Sequence, residues 1–314
     1  MFVAVAAAAV LAAALATVGA VATRSDRGGT RPRSGFPLLV LDLGLRTDRA
    51  ARELRRATSL YTSGKRKQAR AIFERVDDPQ GRVGEAFARW PNGSLAELEG
   101  LAEDRPRDPV VLLNLGIARA WAGDDEGAVA TLRRVERVAP DTLSAVRAGD
   151  LLHPKLAPDL PTFVESAPYP PELARLTAPK LFAELRSRAR SGRVDDLLRY
   201  GVALQRLGRP VSAERVFAAA ARAAPNDPEA RTAVAVGLFD KDDPSRAFGR
   251  LGPLTRRFPQ AATVRFHLGL LLLWIHQVEP AKQQLRRAER EGRGTPIGRE
   301  ARRFLVRLEN VRGG

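Results

Sequence analysis

Apolar residues along this chain follow three successive patterns. Residues 1–22, MFVAVAAAAVLAAALATVGAVA, form one run without a charged side chain. A helix over that run rises about 1.5 Å per residue and reaches about 33 Å, enough to cross a hydrocarbon core of about 30 Å. A transmembrane anchor is therefore predicted over 1–23. Next comes a stretch broken by Gly28, Gly29, Pro32, Gly35 and Pro37, which predicts a flexible tether over 24–47. From residue 48 onward apolar positions recur at helical spacing, in short runs punctuated by Gly and Pro, which predicts antiparallel helices throughout. One segment breaks the rhythm. Residues 153–171, HPKLAPDLPTFVESAPYPP, hold six prolines between predicted helices over 143–152 and 173–190. That segment reads either as an extended insertion or as a linker dividing an N-terminal array over 48–152 from a C-terminal array over 172–314. Apolar Ile297, Ala301, Phe304, Leu305 and Leu308 predict a closing helix over 297–310.

Self-comparison finds a period of 34 residues. Ala213, Phe217, Ala220 and Pro225 shift by 34 onto Ala247, Leu251, Leu254 and Pro259, and again onto Ala281, Leu285 and Ala288. Upstream, Leu197, Tyr200, Gly201 and Leu204 map onto Arg231, Val234, Ala235 and Leu238, then onto Arg265, Leu268, Gly269 and Leu272. A separate stretch fits the same template with Leu112, Leu115, Gly116, Gly123, Ala128, Leu132, Val135 and Pro140, although Arg119 stands where a large apolar residue is expected. A weaker copy over 50–83 carries Leu60, Gly64, Ala69, Phe73 and Val76, and 84–104 reads as a shortened hairpin turning at Pro91-Asn92-Gly93. Small residues such as Gly201 and Ala213 suit the close approach of two helices, and the prolines suit the ends of second helices.

This pattern resembles the tetratricopeptide repeat, a pair of antiparallel helices in 34 residues, over 50–83, 109–142, 194–227, 228–261 and 262–295. The resemblance implies an all-α fold, an α-α superhelix of stacked hairpins that bury apolar faces only against their neighbours. It further implies that the first helices line a concave surface and that set positions along them face a partner. Those positions are Leu113, Ile117 and Trp121; Leu198 and Val202; Val236 and Phe239; and Phe266, Leu270, Leu273 and Trp274. Polar Asp195, Gln205, Arg206, Glu229, Thr232, Asp240 and Thr263 fall on the same surface, as do Val110 and Ala120. The implied function is a scaffold or adaptor that binds a peptide or helix of a client protein in the groove. The competing expectation is that 153–171 or the closing helix folds back and fills part of that groove. Capture of a chaperone's C-terminal carboxylate needs clustered Lys, Arg and Asn on this surface, and none is present.

The formal charge of +16 changes this picture little. Six of the 52 basic residues are lysines and the rest arginines, mostly interleaved with acids as on solvated helix faces. The exception is 282–314, with ten basic and four acidic residues, which suits an anionic lipid or an acidic partner. An aromatic content of 6% speaks against a stacking platform for single-stranded nucleic acid, so nucleic acid is not an expected partner. No cysteine is present, which excludes disulfides and thiolate chemistry. His267 and His276, nine apart on one predicted helix, point about 180° apart and cannot share a metal. Both read as packed or surface side chains. Ser63-Gly64-Lys65 lacks the first glycine and last hydroxyl of a phosphate loop, and GRGTPIG over 292–298 follows a helix rather than a strand. The Asp-Asp pairs at 77–78, 124–125, 195–196 and 242–243 read as helix caps. No catalytic residue, cofactor or metal is expected.

Arg24, Arg27, Arg31 and Arg33 follow the first apolar run, against Asp26 alone, and no basic residue precedes it. The positive-inside rule then puts the body of a single-pass membrane protein in the cytoplasm. The alternative is a cleaved secretory leader, with Ala20-Val21-Ala22 as the cleavage site and a repeat protein acting in the periplasm or outside.

Overall fold

The computed structural model describes residue 33 and residues 35–310. The expected anchor over 1–23 lies outside them. No helix among the described residues is long and apolar enough to cross a membrane. The described chain separates into two compact units, one ending at Leu152 and the other beginning at His153.

Among the described residues the N-terminal unit holds seven helices: α1 (Arg49–Thr62), α2 (Arg66–Phe73), α3 (Pro79–Ala88), α4 (Ser94–Asp104), α5 (Pro109–Ala122), α6 (Asp125–Val138) and α7 (Leu143–Leu152). The C-terminal unit holds α8 (Pro171–Ala174), α9 (Ala178–Arg188), α10 (Val194–Arg206), α11 (Pro210–Ala223), α12 (Pro228–Gly237), α13 (Ser245–Arg257), α14 (Ala262–Trp274), α15 (Val278–Glu291) and α16 (Pro296–Asn310). No strand occurs among the described residues. From α1 to α7 and from α9 to α16 each helix packs on the next, and the first helix of a hairpin also packs on the first helix of the following one. That is the layout of a helical-hairpin solenoid.

Local chemistry explains where the helices begin and end. Helices α3, α5 and α12 each start on Asp-Pro: the carboxylates of Asp78, Asp108 and Asp227 accept from main-chain N–H groups of the first turn. Proline in the next position already holds a helical φ and has no N–H to leave unpaired. Each such cap contributes about 1 kcal/mol. Of the Asp-Asp pairs, Asp78 and Asp124 cap helices and Asp195 and Asp196 sit in the first turn of α10. Pro140, Pro225 and Pro259 follow the ends of α6, α11 and α13. At Gly201 a Cβ atom would come within 2.3 Å of the Phe217 ring, so only glycine lets α10 and α11 approach this closely.

Four expectations are corrected. The helix predicted over 173–190 is split into α8 and α9, because Pro179 has no N–H to continue a helix and is accommodated only in a first turn. Helix α12 stops at Gly237, so Phe239 and Asp240 lie beyond it, where the chain turns to bring Lys241 inward. Helix α14 stops at Trp274, and His276 takes φ 59° just past that end rather than sharing the helix with His267. Residues 35–47, predicted as part of a flexible tether, are packed on the N-terminal unit, with Leu39 and Leu43 in its core.

Candidate binding grooves

The first helices of each unit form a face, and across each face lies a non-helical segment of the same chain. In the N-terminal unit that segment comprises residue 33 and residues 35–44. The Arg33 N–H donates to the carbonyl of Trp121 on α5 (2.9 Å), and its guanidinium sits over the Trp121 ring. The Tyr61 hydroxyl on α1 donates to the Pro37 carbonyl. The Asn114 side-chain amide on α5 both accepts from Val40 N–H (3.1 Å) and donates to Val40 C=O (2.7 Å). Gln80 on α3 treats Asp42 identically, at 2.9 and 3.0 Å. Residues two apart thus turn their main chain toward the helices, and no turn or bend interrupts 36–43; both are properties of an extended chain.

The C-terminal unit repeats the arrangement with residues 157–166. Ala157 N–H donates to the carbonyl of Trp274 (3.1 Å), and the Trp274 indole N–H donates to Asp159 C=O. The buried Lys241 ammonium donates to Ala157 C=O (2.8 Å). Gln205 on α10 accepts from Phe163 N–H (2.9 Å) and donates to Pro161 C=O. His267 on α14 accepts from Val164 N–H at Nε2 (2.8 Å), which requires the ring proton on Nδ1, where it bonds the Thr263 carbonyl (2.7 Å). Glu229 on α12 accepts from both Ser166 N–H and its hydroxyl. Phe163 is fully buried, stacked on His267 (centroids 4.7 Å apart) and edge-on to Phe217 (5.8 Å).

Burying these polar groups moves their titration. Desolvation drives His267 down to about 4, against the opposing effect of its hydrogen bond at Thr263. Desolvation drives Glu165 up to about 7, although the Arg199 guanidinium 3.2 Å away works in the other direction. Arg199 is itself buried and also lies near Asp196 and Asp195. Burial raises Glu229 as well, partly offset by the donors of Ser166.

The side chains expected to face a partner are covered by the chain itself. Leu113, Ile117, Leu198, Val202, Val236, Phe239, Phe266, Leu270 and Leu273 are at most 7% exposed. Leu113 and Ile117 share a core with Leu39 and Leu43. Leu198, Val202 and Val236 surround Phe163. Phe266, Leu270 and Leu273 pack instead with the closing helix α16, with Val164 at their edge. Phe239 belongs to a separate cluster with Leu251 and Leu254, which Leu160 joins. Trp121 and Trp274 stay partly exposed and hold the start of each segment. Asn114 and Gln80 escaped the sequence reading, and His267 was read only as a packed or surface side chain, without a part in the groove. A signal was present: Asn114 and His267 are lone polar residues within VVLLNLGIA and FHLGLLLL.

Residues 110–142 match the family model described as tetratricopeptide repeat. No curated protein matches the chain. Among solved structures, the chain is similar to YrrB, described as a TPR protein with an unusual peptide-binding site, at 17% identity over 66% of this chain and 97% of that one, TM-score 0.31. It is similar to the thermophilic TPR protein TTC0263 of Thermus thermophilus at 20% identity, over 71% of this chain and 99% of that one, TM-score 0.26. A third is the TPR2AB domain of yeast Sti1 in complex with pHSP90, at 12% identity, over 83% of this chain and 98% of that one, TM-score 0.28. Hairpin α5–α6 is thus the stretch that matches the tetratricopeptide-repeat model, and the described residues around it are helices paired into hairpins, without a strand.

Proposed function

We propose that this protein is a protein–protein interaction scaffold of the tetratricopeptide type, whose grooves accept extended peptide segments of client proteins. One observation carries the reading. In each unit, side chains on the first helices are aimed at the main chain of an extended segment. Main-chain pairing supplies affinity and pockets for single side chains supply selectivity, the two ingredients of extended-peptide recognition. The chain's own segments hold those places at an effective concentration on the order of millimolar, so a client has to displace them. The scaffold is closed by default.

A photo-crosslinking residue in place of the exposed Arg206, beside Gln205, tests this in cell membranes. With the segment weakened by Phe163→Ala, client adducts form that the unaltered segment suppresses. Identical adduct patterns with and without that change would remove the groove as the interaction surface.

The same reading keeps residues 1–22 as a membrane anchor, with the helical body in the cytoplasm. The arginine-rich surface between residues 286 and 307, where eight arginines are exposed, then suits anionic lipid headgroups. An exported, leader-cleaved protein is the alternative.

A further inference from the structure

The two groove segments are related residue by residue. Adding 124 to a position in the first gives its counterpart in the second, and the counterparts are held alike. Residues 33 and 157 donate N–H to the carbonyls of Trp121 and Trp274, which occupy the same place in their hairpins. Residues 35 and 159 both adopt left-handed backbone, φ 92° and 60°. Residues 37 and 161 are both prolines whose carbonyls accept from a side chain near the end of the first hairpin's first helix, Tyr61 or Gln205. Residues 39 and 163, Leu and Phe, are the buried anchors. Residues 40 and 164 are both valines whose N–H meets the sixth residue of α5 or α14, Asn114 or His267. Residues 42 and 166 give their N–H to the second residue of α3 or α12, Gln80 or Glu229.

We infer that both grooves select one ligand pattern, carried by client proteins: a left-handed Gly or Asp, a large apolar residue, Pro, any residue, a large apolar anchor, Val, a residue that each groove sets for itself (Leu41 against the core in one, Glu165 beside Arg199 in the other), and then a polar residue, running in the direction of the chain's own segments. This rests on the proposed peptide-binding role of the grooves. Proline fits because it has no N–H left unpaired and is already extended. The last place differs between the grooves. Gln80 offers both a donor and an acceptor and reads only main chain, so Asp42 is accepted there. Glu229 is acceptor-only when ionised and takes two donors from Ser166, so the C-terminal groove demands a hydroxyl. An Asp in that place sets two carboxylates against each other.

The test uses the full chain, purified in detergent and carrying Phe163→Ala, with fluorescein-labelled APDLPTFVESAP (residues 157–168) as the probe and anisotropy as the readout. The probe binds at least about tenfold tighter than a scrambled version, and replacing its serine with Asp weakens it by about tenfold or more. The chain with Phe163 intact binds it more weakly than the opened one. Val164→Ala is the milder second opening variant should Phe163→Ala lose its helical circular dichroism. Equal binding of probe and scrambled peptide overturns the pattern, as does indifference to the Ser→Asp change. Dimerisation of the opened chain in light scattering also overturns it, because a second copy is then the occupant. If the probe fails while client adducts still form at position 206, the pattern falls and the scaffold stands. If the probe binds selectively and no adduct forms, the reverse holds.

Discussion

At the scale of single residues, the C-terminal groove depends on ionisable groups held in the protonation state that burial dictates. Neutral His267 can accept from Val164 only while Nε2 carries no proton. Its folded pKa of about 4 lies below the ordinary 6.5, so its contribution is present above pH 6.5 and is lost as pH falls through 4. Glu165 works oppositely. Its folded pKa of about 7 lies above the ordinary 4.5, so its contribution is complete below pH 4.5 and is lost as pH rises through 7. Glu229, also raised, adds in the same direction as Glu165. Glu165→Gln, measured as urea midpoint against pH, is expected to flatten the decline between about pH 5 and 8 and leave the acid side unchanged. An unaltered slope would show that Glu165 is not the group responsible. Arg199 keeps Asp196 and Asp195 nearby in that variant, so no buried cation is stranded.

At the scale of elements, hairpins were legible because their signals are local and periodic. Apolar residues at 34-residue spacing, Asp-Pro at helix starts and proline after second helices each act within one turn of helix. The close approach at Gly201 was legible for the same reason. Gly201→Ala forces a methyl group against Phe217 and is expected to cost about 1–3 kcal/mol in urea unfolding. A cost near zero would mean that α10 and α11 separate freely. The groove segments were not legible in this way. Their offset of 124 is no multiple of 34, and an extended segment buries single side chains without a helical rhythm. Pro-rich 153–171 was visible as an interruption, but its resting place depends on Gln205, Glu229 and His267, far away in sequence. The early end of α12 escaped for a related reason. Lys241 is drawn inward by Ala157, a partner 84 residues distant.

At the scale of the molecule, each unit is a run of hairpins with its own segment laid across the first helices, and the proposed anchor precedes the first of those segments. A reporter fused to the C-terminus, active on one side of the membrane only, tests the proposed orientation. Cytoplasmic activity is expected. Activity on the far side favours the exported form and would leave the arginines near α16 without the cytoplasmic leaflet they suit.

Both segments come before the helices they cross, and this order matters during synthesis. Residues 157–166 leave the ribosome before α10, α12 and α14 exist, and at roughly 5–20 residues per second the last of these follows on the order of 10 s later. The acceptors on those helices are therefore born next to a ligand that is already waiting. If the grooves take client peptides as proposed, a client competes with this tethered occupant from the moment the cleft forms, and its association begins as an exchange.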